Sequence, residues 1–429
     1  MGKLLIDQSA IFRAVLSECE EVLASLPDRP TWSIIDELSK AGNASNVYQS
    51  AFSQPLCTAL QLGLVVLWKS WGLVPCTVLG HSSGEIAAAY TAGFISLRDA
   101  IITAYYRGLY INDIVSEPSR TQPKGSMCAV GLSEENAKKT LTGYVDRVQL
   151  AAVNSPSSCT LSGDEDAIKD IVRVCEKEGT FCRELRVDMA YHSHHMLPVA
   201  PRYEMALGDA HVYPLTSTVN CDMFSSVTGL KLSQEDCSVQ YWKQNMVSTV
   251  HFFSALSGCM ARHPDVSMIL EVGPHPALEG PTQESLRNLG KDSVDFFHSC
   301  LRGKNDWEAL LESAGRMIAR GAPLKTPNLN ASEITHDLQS KYEYGNVLTD
   351  VPAYQWDHST PFWAESRISR DLRYRQFPCH QLLGSRSIGD IPSCPRWRNL
   401  LMLKEVPWLA QRKVCSTTYR STKLSRNLD

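Results

Sequence analysis

Apolar side chains in residues 9–27 recur at helical spacing (Ile11, Val15, Cys19, Val22, Leu23) among charged ones, predicting an amphipathic helix. Residues 46–71 read as a long, largely apolar helix ending at Gly72, with Pro55 near its start predicting a break or a first turn. Residues 76–79, after Pro75, form a short apolar run that predicts a buried strand. The small-residue run 84–92 then predicts a helix stopping at Gly93, and 97–114 predict another, carrying Arg107 among apolar neighbours. From Gly125 the period changes. Strands are predicted at 127–130, 148–153, 158–162 and 182–187, with helices at 134–141, capped by Ser133, and at 164–178. That β-α-β-β-α-β order is that of a small ferredoxin-like insert. Beyond it, strands are expected near 217–220 and 267–271 and helices near 251–262 and 305–319, followed by a Pro-, Tyr- and Trp-rich linker over 322–365.

The predicted strand and helix around residue 82 are joined by Gly80-His81-Ser82-Ser83-Gly84, which fits the G-x-S-x-G nucleophile elbow. Such a turn exposes the serine hydroxyl at a helix N-terminus, where free N–H groups and the helix dipole favour developing negative charge. A serine hydroxyl needs a base to take its proton. His81 adjoins Ser82 but points away along the strand-turn and reads as elbow scaffolding. The cluster Tyr191-His192-Ser193-His194-His195, in a polar turn after the insert, is the source of the base. No acidic residues stand near it at metal spacing, so no metal is expected.

Composition narrows the classes. The 429 residues suffice for two to three domains, and 43% hydrophobic with 21% charged residues is ordinary for a globular chain. A net charge of −4 gives no reason to expect nucleic acid, although residues 366–429 hold 13 Lys and Arg against 4 Asp and Glu. Fourteen cysteines without a Cys-x-x-Cys pair or zinc spacing, and no signal-peptide pattern, predict reduced thiols and a cytoplasmic location. The longest uninterrupted apolar run, around 62–68, is far short of a membrane span, so no membrane partner is expected.

Gly80-His81-Ser82-Ser83-Gly84-Glu85 resembles a family motif when taken with Gln54, Tyr106-Arg107-Gly108, Asn154-Ser155-Pro156, Tyr191-His192-Ser193-His194 and Glu271-Val272-Gly273-Pro274-His275. In that order and spacing they are similar to the malonyl-CoA:acyl-carrier-protein acyltransferase domain of polyketide and fatty acid synthases, over roughly residues 1–325. The resemblance implies an α/β fold: a hydrolase-like parallel-sheet domain with the elbow, and the inserted α+β subdomain. It implies Ser82 as nucleophile toward malonyl-CoA and His194 as general base. A backbone carbonyl near the Glu271–His275 turn would hold that histidine. Arg107 would pair with the malonyl carboxylate, as suits a guanidinium on an apolar helix. Gln54, His81, Asn154 and Tyr191 would line the substrate pocket, and the Ser83 N–H would be an oxyanion donor. No cofactor is implied; the acyl group would pass to the phosphopantetheine of an acyl carrier protein. The family's Gly-Gln-Gly motif, a second oxyanion donor, would precede Met1.

The tail (Val351-Pro352-Ala353-Tyr354-Gln355-Trp356, Phe362-Trp363, His380-Gln381-Leu382-Leu383-Gly384, Trp397-Arg398-Asn399-Leu400) resembles the join between acyltransferase and dehydratase in highly reducing iterative fungal polyketide synthases. The resemblance implies other synthase domains as partners. It divides the chain into a large acyltransferase subdomain (1–124 and 190–325), a ferredoxin-like subdomain (125–189), a linker (326–373) and a truncated dehydratase start (374–429). Arg412 stands where the dehydratase histidine is expected, so that activity is expected to be absent. Leu289-Gly290-Lys291-Asp292-Ser293 mimics a carrier-protein site but precedes a strand-like run. Two other readings stay open: an inactive remnant that binds a partner, and an α/β serine hydrolase or thioesterase.

Overall fold

A computed structural model describes residues 2–40, 44–116, 123–216 apart from 186 and 188, 221–334, 341–357 apart from 347, and 359–411 apart from 361, 362 and 403. The chain divides into two compact units, Met1–Asn346 and Val347–Asp429.

The first unit opens with helices α1 (Lys3–Gln8), α2 (Ala10–Ala24), α3 (Ile34–Ser39) and α4 (Ser50–Ser70), then β1 (Thr77–Leu79), α5 (Gly84–Ala92) and α6 (Leu97–Ser116). Helix α2 is capped by Ser9, whose side chain accepts from the Phe12 N–H, and it buries the predicted stripe Ile11, Val15, Cys19 and Leu23. Pro55 marks neither of the two predicted features, a break or a first turn: helix α4 begins at Ser50 and runs unbroken through it. The ring forfeits a single backbone hydrogen bond one turn inside the helix. It is itself buried, alongside Leu56, Leu60, Leu64 and Leu67. Helix α4 is long and apolar enough overall to cross a membrane, but it packs against α2 and α6 in the main core.

The insert follows: β2 (Gly125–Val130), α7 (Glu134–Leu141), β3 (Val148–Ser155), β4 (Ser158–Asp164), α8 (Glu165–Glu178) and β5 (Cys182–Glu184). Its four strands form an antiparallel sheet in the order β3-β4-β2-β5, the ferredoxin-like arrangement, over a core of its own that includes Val130, Leu161, Ile168 and Ile171. The chain then returns through α9 (Ala200–Asp209), β6 (Asp222–Phe224), β7 (Lys231–Leu232), α10 (Val239–Val247), α11 (Phe252–Arg262), β8 (Met268–Glu271), α12 (Glu279–Asn288), β9 (Asp295–His298) and α13 (Asp306–Ala319). Helix α14 (Thr326–Leu329) and a hairpin, β10 (Ser332–Ile334) with β11 (Lys341–Glu343), complete the unit. The strand expected at 217–220 lies outside the described residues.

Two parallel pairs form the hydrolase-like centre. Strand β1 runs parallel to β6, which β7 extends, and β8 runs parallel to β9. β1 and β8 are not hydrogen-bonded to each other; a cavity of about 960 Å³ between them is lined by Thr77–Leu79 and by Met268–Glu271. In the second unit, α15 (Arg367–Arg373) precedes β12 (Ser385–Arg386), which pairs with β13 (Trp397–Arg398). Arg412 falls outside the described residues.

Candidate active site

Strand β1 delivers Ser82 into the elbow with φ 54°, a left-handed conformation that costs a serine about 1–3 kcal/mol and persists only when its surroundings dictate it. Gly80 is required sterically: a Cβ there would lie 2.2 Å from the Glu85 nitrogen and 2.4 Å from the Gly84 carbonyl carbon. Gly84, by contrast, has nothing within 4 Å of such a carbon. Gly80→Ala is therefore expected to destabilise the fold by about 3 kcal/mol or more, because backbone rather than a side chain must move. Gly84→Ala, at the start of a helix, is expected to be neutral or mildly stabilising. Denaturant titration checks both, and equal midpoints for the two variants would contradict this reading of the turn. Ser83 caps α5, and its N–H makes no hydrogen bond among the described residues, leaving it open beside the Ser82 hydroxyl.

The histidine facing the nucleophile is His192, not His194. His192 Nε2 lies 2.6 Å from Ser82 Oγ, and its Nδ1 lies 2.8 Å from the Ser248 carbonyl oxygen. A carbonyl only accepts, so the proton sits on Nδ1 and the Nε2 lone pair faces the hydroxyl. The holding carbonyl thus comes from the loop after α10, not from the Glu271–His275 turn. There Glu271 instead accepts the N–H groups of Ala277 and Leu278. His192 too is left-handed, with φ 58°. Burial, with the Arg107 and His81 side chains adding to it, pushes its pKa down to about 3, keeping the ring neutral at physiological pH. His194 sits elsewhere: Nδ1 is 2.9 Å from Gln149 Oε1 and Nε2 is 3.2 Å from Asp164 Oδ1. His195 Nε2 lies 3.0 Å from that same oxygen. Asp164, His194 and His195 could in principle share a metal ion, but Arg147 also holds the Asp164 carboxylate, and its cation opposes a second one there.

Arg107, on α6, is fully buried, and among the described residues no carboxylate lies within ion-pair distance of it. Nη1 donates to Asn245 Oδ1 at 2.7 Å, Nη2 to Ser82 Oγ at 3.3 Å, and Nε has no partner. The other predicted residues divide. Tyr191 OH is 2.9 Å from Ser50 Oγ at the start of α4, and the buried Gln54 Oε1, one turn on, has no partner. His81 Nε2 is 2.8 Å from Asn154 Oδ1, and Asn154 Nδ2 donates to Thr160 Oγ1, so this pair ties the elbow to the insert. Glu85, Asn245 and the Ser248 carbonyl were not anticipated. A carboxylate in the alanine-rich helix α5 was the signal available.

A strained serine at a helix start, a neutral buried histidine on its hydroxyl and an open N–H beside it define an α/β enzyme of the serine acyl-transfer class. The chain belongs to the acyl transferase domain family, whose model matches residues 1–319. It is 43% identical over 421 residues to the hybrid PKS-NRPS synthetase pynA of Aspergillus niger, covering 96% of this chain and 11% of that protein. It is 38% identical over 426 residues to the highly reducing polyketide synthase claI of Penicillium crustosum, covering 97% and 17%. The chain thus spans well under a fifth of the length of these curated relatives. Among solved structures it is similar to the acyltransferase domain from module 8 of the salinomycin polyketide synthase, with a TM-score of 0.67, 28% identity and 75% and 72% of the two chains covered. A loading acyltransferase from the avermectin modular polyketide synthase gives 0.66, 28%, and 74% and 95%.

Proposed function

We propose that this domain takes malonyl from malonyl-CoA onto Ser82 and passes it to the phosphopantetheine thiol of an acyl carrier protein during polyketide assembly. The observation that carries the malonyl assignment is Arg107: a fully buried guanidinium beside the nucleophile with no carboxylate within ion-pair distance among the described residues. An uncompensated buried charge costs several kcal/mol, and a substrate carboxylate received bidentately repays it.

In the first half-reaction Ser82 Oγ attacks the thioester carbonyl carbon while His192 Nε2 takes its proton. The Ser83 N–H receives the developing oxyanion. Collapse breaks the C–S bond, and the imidazolium returns its proton to the departing CoA sulfur. The carrier thiol then repeats the sequence in reverse, giving its proton to His192 as its sulfur attacks the ester, and Ser82 recovers the proton on leaving. Burial holds the His192 pKa down in the free domain, and the Arg107 cation adds to it. A carboxylate arriving on Arg107 offsets that repulsion, so His192 becomes a better base when a carboxylated substrate is bound. Residues 374–429 are proposed as the start of the dehydratase region that follows such domains.

The test is transfer itself. With malonyl-CoA and a phosphopantetheinylated carrier protein, the carrier is expected to gain malonyl faster than free malonate appears. Malonate release alone, at the same rate with and without the carrier, would support the hydrolase reading instead.

A further inference from the structure

The hydrogen bonds behind the nucleophile have only one consistent direction. A guanidinium only donates, so the Asn245 amide must present its oxygen to Arg107 and its nitrogen the other way. That nitrogen donates to the Ser82 carbonyl at 3.1 Å and to Glu85 Oε2 at 2.7 Å. The Tyr241 hydroxyl is 2.7 Å from the same Glu85 oxygen, and the Ser226 N–H donates to Oε1. Glu85 is fully buried on the first turn of α5, three residues from Ser82, and has no cation within ion-pair distance among the described residues. A carboxylate in such a place is costly unless its acceptor capacity is used, and here every contact upon it comes from a donor.

We propose that Glu85 is a positioning residue for the acyl pocket: acting through Asn245, its carboxylate fixes the orientation of the Arg107 guanidinium and of the Ser82 backbone, and so sets the preference for carboxylated acyl groups. This rests on the reading of Arg107 as the carboxylate-binding residue.

The chain of donors explains why an isosteric amide cannot replace it. In Glu85→Gln the Ser226 N–H requires the oxygen, which places the new NH2 where Oε2 was. That NH2 faces the Asn245 nitrogen, and the Asn245 amide must turn over to receive it. Its own NH2 then confronts Arg107 and Nη1 loses its acceptor. Protonation of Glu85 acts in the same direction, since a carboxyl OH is a far weaker acceptor than a carboxylate. Burial raises the Glu85 pKa to about 7, with the Tyr241, Ser226 and Asn245 hydrogen bonds pulling the other way. The titratable and charged groups that bear on it are Arg107 from α6, Tyr241 from α10 and Cys237 just before that helix. Tyr241 and Cys237 are both pushed up and stay protonated, and His192 titrates well below this range. A raised carboxyl pKa means the charged, orienting form is present above about pH 7 and lost below it.

Calorimetry on a Ser82→Ala background, which binds without turnover, reads this out as the affinity ratio of malonyl-CoA over acetyl-CoA. The ratio is expected to be at least tenfold at pH 8 and to shrink severalfold by pH 6. Adding Glu85→Gln should reduce it about tenfold and abolish its pH dependence. Tyr241→Phe removes one hydrogen bond that stabilises the charged form. It should preserve the ratio at high pH while moving its midpoint upward, which a merely structural role would not do. A ratio unmoved by Glu85→Gln, by Tyr241→Phe and by pH overturns the positioning role alone. The absence of any preference in the parent protein overturns the Arg107 reading, and this inference with it.

Discussion

Replacing His192 by alanine is expected to slow acylation of Ser82 by about 10³-fold, within the range that loss of a positioned general base produces. His194→Ala should leave the rate within a few-fold of the parent. The two residues are neighbours in one four-residue cluster, so the pair of variants separates chemistry from context. His192 Nε2 is 2.6 Å from the nucleophile, whereas both ring nitrogens of His194 are spent on Gln149 and Asp164. His194→Ala has its own expected cost in stability, because it removes the ring that bridges Gln149 Oε1 and Asp164 Oδ1 at the seam between the insert and the large subdomain, leaving Gln149 Oε1 only the backbone N–H of residue 194. Rapid-quench measurement of CoA release decides between them. A large loss in the His194 variant with a small one in the His192 variant would reverse the assignment.

The second large effect is at Arg107. Arg107→Ala should lower acylation by malonyl-CoA by about 10²-fold while leaving acetyl-CoA within a few-fold, since a charge-assisted bidentate contact contributes about 1.5–3 kcal/mol. Part of the loss has a second origin: Asn245 Oδ1 loses its donor, and the amide is then free to turn over. Competition between the two thioesters, with the Ser82 adducts resolved by mass, measures the preference directly. An unchanged malonyl preference would remove Arg107 from the pocket.

The sequence carried most of the frame because the frame is local. The ferredoxin-like insert was legible from period changes and from Ser133 as a cap, and the structure places a Ser133 hydrogen bond on the Asn136 N–H. The elbow was legible because its glycine spacing reports a backbone constraint, which the close approach at Gly80 makes explicit. Which histidine meets Ser82 was not legible. Tyr191–His195 form a turn in which His192 alone is left-handed, and that single φ decides which side chain swings toward β1. Ser248, Asn245 and Glu85 act across long sequence separations: Asn245 reaches the elbow from 160 residues beyond Glu85. No periodicity encodes such a contact. Pro55 misled in the opposite direction, since burial of the ring against the core outweighs the one backbone hydrogen bond it removes.

The central claim is that Ser82 becomes esterified by a carboxylated acyl group. Intact-protein mass spectrometry after brief mixing with malonyl-CoA tests it most directly, with Ser82→Ala alongside. The account predicts a malonyl-sized mass gain in the parent protein, mapped to the peptide containing Ser82 and absent from the variant. A gain that persists in Ser82→Ala, or CoA release with no adduct at any time point, would contradict it.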